Sequence, residues 1–77
     1  MAKAPVSRSL DLFGRRVRAE RQALGWTLEQ LGERSGLHWT YIGSVERGQR
    51  NVSLVNILRL ARALRVDPSA LVEGLKP

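Results

Sequence analysis

The chain has 77 residues and no cysteine, which predicts one small domain and excludes disulfides and thiolate metal sites. Thirteen Lys and Arg residues against seven Asp and Glu give a formal charge of +6, a balance that favours a polyanionic partner. A charged surface that only aids solubility is the alternative. No apolar run approaches the ~20 residues that cross a membrane, and the N-terminus lacks the apolar core of a signal peptide, so the sequence predicts a cytoplasmic protein.

The first nine residues contain little apolar content, and we interpret residues 1–9 as a flexible N-terminal arm ahead of a domain over residues 10–77. A first helix is predicted from about Leu10, because apolar residues then recur at helical spacing. Its apolar positions are Leu10, Phe13, Val17 and Leu24. Gly25 ends this helix, and Trp26 is expected to pack into the core just before the next helix begins.

A second helix begins after Thr27, which is followed three residues later by Gln30. This spacing predicts a capping box, in which the threonine hydroxyl and the glutamine side chain each bind a backbone amide of the other residue. Gly36 ends the helix with a change of direction, since a residue without Cβ enters left-handed backbone conformations at little cost. A third helix follows and ends at Gly48, with apolar positions at Leu37, Ile42 and Val45.

Two helices joined by a short glycine turn are typical of the helix-turn-helix motif, whose second helix lies in the major groove of DNA. Beyond a polar loop, Ser53 predicts the cap of a fourth helix, and Asp67-Pro68 predicts the start of a short fifth one. The apolar stripe of the fourth helix comprises Leu54, Ile57, Leu58, Ala61 and Leu64. No alternating strand pattern occurs, so the predicted fold class is all-α, a compact five-helix bundle.

At this point the sequence resembles the Cro/CI-type (XRE-type) helix-turn-helix regulators of bacteria and phages. The likeness covers residues 13–72 and is carried by the segments WTLEQLGERSGL and YIGSVERGQRN. It implies a lambda-repressor-like DNA-binding domain. Small restriction–modification controller proteins are similar in length and in the ERGQRN region. The chain is therefore interpreted either as a controller protein or as a member of another branch of the family.

The resemblance implies that the start of the third helix meets base edges, through Trp39, Thr40, Tyr41 and Ser44. The two hydroxyl residues can donate or accept hydrogen bonds, and the threonine methyl can contact a thymine methyl. Trp39 offers one N–H and a large apolar face, where family members often carry Arg or Gln. Its alternative role is packing, in the core or in a dimer. For Tyr41, partial burial with the hydroxyl on a phosphate is weighed equally against a direct base contact.

Phosphate contacts are implied around the motif. Arg50 and Asn51, in the loop after the third helix, are expected to contact the sugar-phosphate backbone, with an ordinary turn as the alternative. Arg47 is a further candidate for a phosphate contact, with a solvated helix end as its alternative. At Thr27 and Leu28 the backbone amides of the second helix would hold a phosphate, since Leu28 stands where many relatives carry Gln. His38 is interpreted as a capping or surface residue near phosphate.

Two further groups of residues are assigned from the resemblance or from their position. Arg21 and Glu46 resemble the family's partly buried pair that links the third helix to the first. The cluster Arg15, Arg16 and Arg18 is interpreted as a solvated face, with long-range attraction of DNA as the alternative. A dimer contact is expected from the end of the fourth helix and the fifth helix. The residues assigned to that contact are Val66, Leu71, Val72 and Leu75.

Together these observations predict a sequence-specific DNA-binding transcriptional regulator, a repressor or controller protein. It is expected to bind a palindromic operator in double-stranded DNA as a homodimer and to regulate its own gene. The alternatives are an antitoxin of a toxin–antitoxin pair and a non-catalytic protein-interaction module. An enzyme is not expected, because the single histidine, His38, has no nucleophile or carboxylate pair beside it. No cofactor, metal, membrane or small-molecule ligand is expected.

Overall fold

The computed structural model describes residues 4–77, which form five helices and no strand. The helices are α1 (Arg8–Ala23), α2 (Leu28–Ser35), α3 (Trp39–Glu46), α4 (Leu54–Leu64) and α5 (Ser69–Val72). The predicted all-α bundle is therefore confirmed. Within the described residues, no helix is long and apolar enough to span a bilayer.

Helix α1 begins at Arg8, two residues earlier than expected, because the hydroxyl of Ser7 accepts from the Leu10 amide and caps it. Ahead of it, the Val6 amide donates to the Gly48 carbonyl at 2.8 Å, so residues 6–9 belong to the ordered domain. The proposed arm is thereby shortened, and its first three residues lie outside the described part of the chain.

The two glycine turns around α2 form as predicted. Thr27 and Gln30 make both bonds of the capping box, at 3.1 and 2.8 Å. Gly25 and Gly36 adopt φ values of 72° and 74°, in the left-handed region that favours glycine. Together these residues set the short connections that place α1, α2 and α3 around one core.

That core is formed by ten buried side chains contributed by all five helices and by the loop before α4. They are Phe13, Val17, Leu31, Ile42, Val45, Val52, Leu60, Ala61, Leu64 and Leu71. Trp26 packs against this cluster from its edge, as the sequence predicted. Leu24 does not join it, because the residue follows the last turn of α1 as its C-cap and remains exposed.

The short helix α5 is attached to α1 by polar contacts as well as by Leu71. Asp67 accepts from the Ser69 amide at 2.9 Å, which performs the capping that the sequence predicted, although the helix itself starts at Ser69 rather than at Pro68. Arg16 donates to the carbonyl of Glu73 at 2.7 Å and, more weakly, to that of Leu71. Arg16 is therefore a structural residue and not part of a solvated basic face.

Helix α4 departs from its predicted apolar stripe at its first two turns. Ser53 caps the helix, accepting from the Asn56 amide at 3.2 Å. Leu54 and Leu58, both expected in the core, are 70% and 46% exposed, and the intervening Val55 is 57% exposed. The first half of α4 therefore presents an apolar face to solvent, although Ile57 packs against the core, and the fully buried residues of the helix lie in its second half.

Candidate nucleic-acid interface

The start of α3 projects from the surface of the domain. Trp39 is 46% exposed and its ring is stacked on that of His38, with centroids 5.8 Å apart. Packing in the core of this chain is thus excluded for Trp39. Because α3 follows the Gly36 turn at once, its first exposed turn lies beside the end of α2, as in a helix-turn-helix.

His38 caps α3 through its imidazole. Its Nδ1 accepts from the Thr40 amide at 3.2 Å and lies 2.6 Å from the Thr40 hydroxyl oxygen. With Nδ1 acting as the acceptor, the hydroxyl of Thr40 is the donor in the second contact. The exposed Thr40 therefore keeps an oxygen acceptor and a methyl group available at the surface.

Tyr41 is half-buried and belongs to a small polar network. Its hydroxyl accepts from the side-chain amide of Asn56, at the start of α4, over 3.2 Å. The guanidinium of Arg50 lies 5.7 Å from the centre of the Tyr41 ring, within the range of a cation–π contact. This places the tyrosine between the loop that follows α3 and the first turn of α4.

Ser44 does not lie where the sequence placed it. The residue is 8% exposed, and its hydroxyl donates to the Tyr41 carbonyl at 2.7 Å. The same oxygen accepts from Nε of Arg50 at 3.2 Å. Helical periodicity could not reveal this burial, because the contact comes from the loop that folds back on the helix.

The loop after α3 carries the remaining polar candidates. Arg47, Arg50 and Asn51 are all exposed. The loop is fixed at Gly48, which has φ 74°, donates to the Val45 carbonyl and accepts from Val6. An ideal Cβ on this glycine would lie 2.8 Å from the Cα of Asp11, so the close approach to α1 also requires a residue without a side chain.

A second basic surface lies on the other side of α3. An open cleft of about 230 Å³ lies where α1, α2 and α3 meet, lined by Arg18, Arg21, Leu28, Gly43, Glu46 and Arg47. Arg18 and Arg47 are exposed, whereas Leu28 packs partly against the core. Of the cluster Arg15, Arg16 and Arg18, only Arg18 lines this cleft. Arg15 remains exposed and pairs with Asp11 at 3.2 Å.

Arg21 and Glu46 form a bidentate ion pair between α1 and the end of α3. Nε and Nη2 of the arginine donate to the two carboxylate oxygens at 2.8 and 2.9 Å, and Nη1 donates to the Trp26 carbonyl at 2.8 Å. Both side chains are largely buried. The bond to Glu46 raises the pKa of the Arg21 guanidinium above its ordinary value, although burial acts in the opposite direction.

The structure separates the four residues assigned to a dimer contact. Leu71 is fully buried in the core, so it cannot contact a second subunit while the domain is folded. Val66 and Leu75 are partly buried against the same core, and only Val72 is clearly exposed. Three exposed apolar side chains lie instead on α4, namely Leu54, Val55 and Leu58, and the sequence did not point to an interface there.

Comparison with known proteins agrees with this geometry. The family model described as "Helix-turn-helix" matches residues 17–71. The chain belongs to the helix-turn-helix family, of the Cro/CI (XRE) type. The matched segment runs from the core of α1 to the last core residue of α5 and includes the whole α2–turn–α3 unit.

Several relatives of this helix-turn-helix chain are controller proteins. It is 46% identical over 68 residues to the control protein C.SmaI of Serratia marcescens, covering 86% of this chain and 81% of the relative. The crystal structure of the restriction–modification controller C.AhdI from Aeromonas hydrophila is 54% identical, with a TM-score of 0.82 over 84% of this chain and 98% of that one. C.Esp1396I bound to a 19 base pair DNA duplex matches at 29% identity and a TM-score of 0.79, over 90% and 92%.

Proposed function

We propose that this helix-turn-helix protein is a sequence-specific DNA-binding transcriptional regulator that acts as a homodimer on a palindromic operator. The observation that carries the proposal is the exposed first turn of α3, where Trp39 and Thr40 project beside the basic loop of Arg50 and Asn51. The structures of two similar proteins contain DNA: C.Esp1396I is bound to a 19 base pair duplex, and the P22 c2 repressor is in complex with a synthetic operator.

Base reading is assigned to the two exposed residues of that turn. Thr40 offers an acceptor and a methyl group, which suit an exocyclic amine and a thymine methyl. Trp39 offers an indole N–H and an apolar face, already oriented by its stacking on His38. Tyr41 is assigned a supporting role, because its hydroxyl accepts from Asn56 and its ring faces Arg50.

Backbone contacts are assigned to the basic residues on both sides of α3. Arg50 and Asn51 flank one side, and Arg18 and Arg47 the other. The N-terminus of α2 adds the backbone amide of Leu28 near the same surface, whereas the amides of Thr27 and Gln30 are already used by the capping box. Phosphate contacts of this kind fix the position of the protein on DNA without reading its sequence.

A dimer is proposed because one domain is too small for the site. The longest dimension of the domain is 30 Å. The 19 base pair duplex bound by C.Esp1396I is about 65 Å long at ~3.4 Å per base pair, nearly two helical turns. Two copies related by a two-fold axis place their reading helices about 34 Å apart, one turn of DNA.

The dimer contact is proposed at the exposed apolar face of α4, defined by Leu54, Val55 and Leu58, rather than at the end of α5. The three residues lie at spacings of three and four along two turns, so they form one continuous face. In an isologous interface the same surface of each subunit meets its own copy, so that surface has to be complementary to itself. An apolar face meets this requirement without any pairing of opposite charges. Val72 is the only residue of the earlier assignment that is exposed enough to extend it.

The assignment of this face is tested with Leu58→Glu. Because Leu58 is half-exposed, the substitution is expected to leave the melting temperature of the domain nearly unchanged, but to give a monomer in sedimentation at micromolar concentration. Gln22→Glu, at an exposed position on α1 outside this face, is the charge-change control. A wild-type protein that stays monomeric at high micromolar concentration and on DNA would remove the dimer from the proposal.

The relatives C.SmaI and C.BamHI are control proteins, which supports a controller role within the family. We propose in addition that the protein regulates its own gene. The test is a footprint of the protein on DNA upstream of its own gene, at about 150 mM salt with excess competitor DNA. We expect a protected symmetric site that spans two successive major-groove turns. Diffuse protection that disappears with added salt would contradict sequence-specific reading of that region.

A further inference from the structure

The buried hydroxyl of Ser44 is not among the DNA contacts assigned above, and it makes two hydrogen bonds within the protein. Its proton is directed to the Tyr41 carbonyl at 2.7 Å, inside the first part of α3. The oxygen is therefore oriented as an acceptor towards the loop, where Nε of Arg50 donates to it at 3.2 Å. The two partners lie six positions apart in the sequence, so the bond closes the loop back onto the helix.

We propose that Ser44 is a positioning residue that holds Arg50 in the orientation in which it meets DNA. This inference rests on the proposed function, because it assigns Arg50 to the DNA contact. The bond uses Nε and so does not occupy the edge formed by the two Nη nitrogens. That edge stays available for a bidentate contact with phosphate or guanine.

Two further contacts limit the motion of Arg50. The Tyr41 ring lies 5.7 Å from its guanidinium carbon, and the hydroxyl of that ring accepts from Asn56 in α4. The backbone ahead of Arg50 is fixed as well, since the Gln49 amide donates to the Ser44 carbonyl at 3.0 Å. Ser44 thus binds the loop through its backbone and its side chain together.

The physical effect is a lower entropic penalty of binding. A free arginine loses much of its rotamer freedom when it is immobilised at an interface. An arginine already held at Nε and over a ring loses less, so the contact with DNA is stronger for the same geometry. Removing the serine hydroxyl is expected to weaken DNA binding about three- to tenfold, the range for one immobilised side chain.

The experiment is a double-mutant cycle with Ser44→Ala, Arg50→Ala and the double variant. The dissociation constant of each variant is measured on the DNA site that the wild-type protein protects in the footprint. We expect Ser44→Ala to weaken binding only when Arg50 is present, so that the double variant binds as Arg50→Ala does. Thr40→Ala is the matched control, because it removes an exposed hydroxyl from the same helix. Its effect is expected to add to that of Arg50→Ala.

A second measurement needs no DNA. The ¹⁵Nε–H resonance of Arg50 is expected to be resolved and slow to exchange in the wild-type protein, and to move to the position of a free arginine in Ser44→Ala. This readout separates a positioning role from a purely structural one, which would change the melting temperature and leave that resonance in place.

The outcomes distinguish the two proposals. If Ser44→Ala weakens binding equally with and without Arg50, the serine acts on DNA or on the fold by itself and the positioning role is wrong. An Arg50 resonance unchanged by Ser44→Ala would also overturn it. If the wild-type protein binds no duplex specifically, the proposed function fails first, whereas a specific wild-type complex that Arg50→Ala leaves unchanged overturns this inference alone.

Discussion

The two halves of α3 have opposite surroundings, although the helix has only eight residues. Its second half is enclosed: an ideal Cβ on Gly14 of α1 would lie 2.2 Å from the Val45 carbonyl oxygen, and Glu46 is paired with Arg21. Its first half, with Trp39 and Thr40, is open to solvent. The difference shows that one short helix can be fixed by its end while its start stays free for a ligand, so stability and reading are controlled by different residues.

The largest expected effect comes from closing the contact at Gly14. In Gly14→Ala the new methyl group meets only backbone atoms of α3, at 2.2 Å and 2.7 Å, which cannot move aside as a side chain would. We expect a loss of about 3 kcal/mol of unfolding free energy, which lowers the melting temperature by more than about 10 °C. Thermal unfolding followed by circular dichroism measures it.

Gly43→Ala is the matched control for that substitution. Its ideal Cβ lies 3.2 Å from the guanidinium end of Arg47, a flexible side chain that can move. Alanine favours a helix over glycine by up to about 1 kcal/mol. The control is therefore expected to be neutral or stabilising, and equal losses in the two variants would contradict the close α1–α3 contact.

The next effect is the loss of the ion pair at the enclosed end. Glu46→Ala leaves the Arg21 charge at a largely buried site with only the Trp26 carbonyl as a partner. We expect a destabilisation of about 3 kcal/mol in urea unfolding. Asp11→Ala, which breaks the exposed pair with Arg15, is expected to cost about 1 kcal/mol or less. Similar losses would remove the special role of the buried pair.

At the exposed start of α3, substitutions are expected to change DNA binding and to leave stability nearly unaltered. Trp39→Ala is expected to leave the unfolding free energy within about 0.5 kcal/mol of the wild type, because the ring is half-exposed. The preference of the Trp39→Ala variant for the wild-type base is expected to change by about tenfold at one or two operator positions, the cost of about one mismatched base pair. Selection of binding sites from a randomised duplex measures this change. Asn51→Ala, by contrast, is expected to weaken all sequences alike and to leave the preference unaltered.

The smallest effect lies far from α3, at the cap of α5. Hydrogen bonds from Ser69 hold the pKa of the Asp67 carboxyl below its ordinary value. A lowered pKa in the folded state means that the stabilisation is present above the unfolded pKa of about 3.8 and is lost as the pH falls through the folded value. Asp67→Ala is thus expected to lower the melting temperature slightly at pH 7, with the difference from wild type narrowing below pH 3.8. A difference independent of pH would contradict the charge effect.

The turns and caps were predictable because their signals are local. The Thr27–Gln30 spacing and Gly36 specify a cap and a left-handed residue whatever surrounds them. Burial at Ser44 and exposure at Leu58 were not predictable, because both depend on which other segment folds against the helix. Leu71 was misassigned for the same reason: a four-residue helix has too few turns for periodicity to separate its core side from its outer side.

The bond between the Val6 amide and the Gly48 carbonyl has a practical consequence for anyone who labels or fuses this protein. It brings the start of the described chain against the loop that leads to Arg50. An affinity tag or fluorophore ahead of residue 4 would emerge beside that loop and would compete with a duplex for the same space. Residues 74–77 instead line a cleft with Arg8, Ser9 and Leu12 that includes no residue of the loop, so a label at the C-terminal end is the better choice for binding measurements.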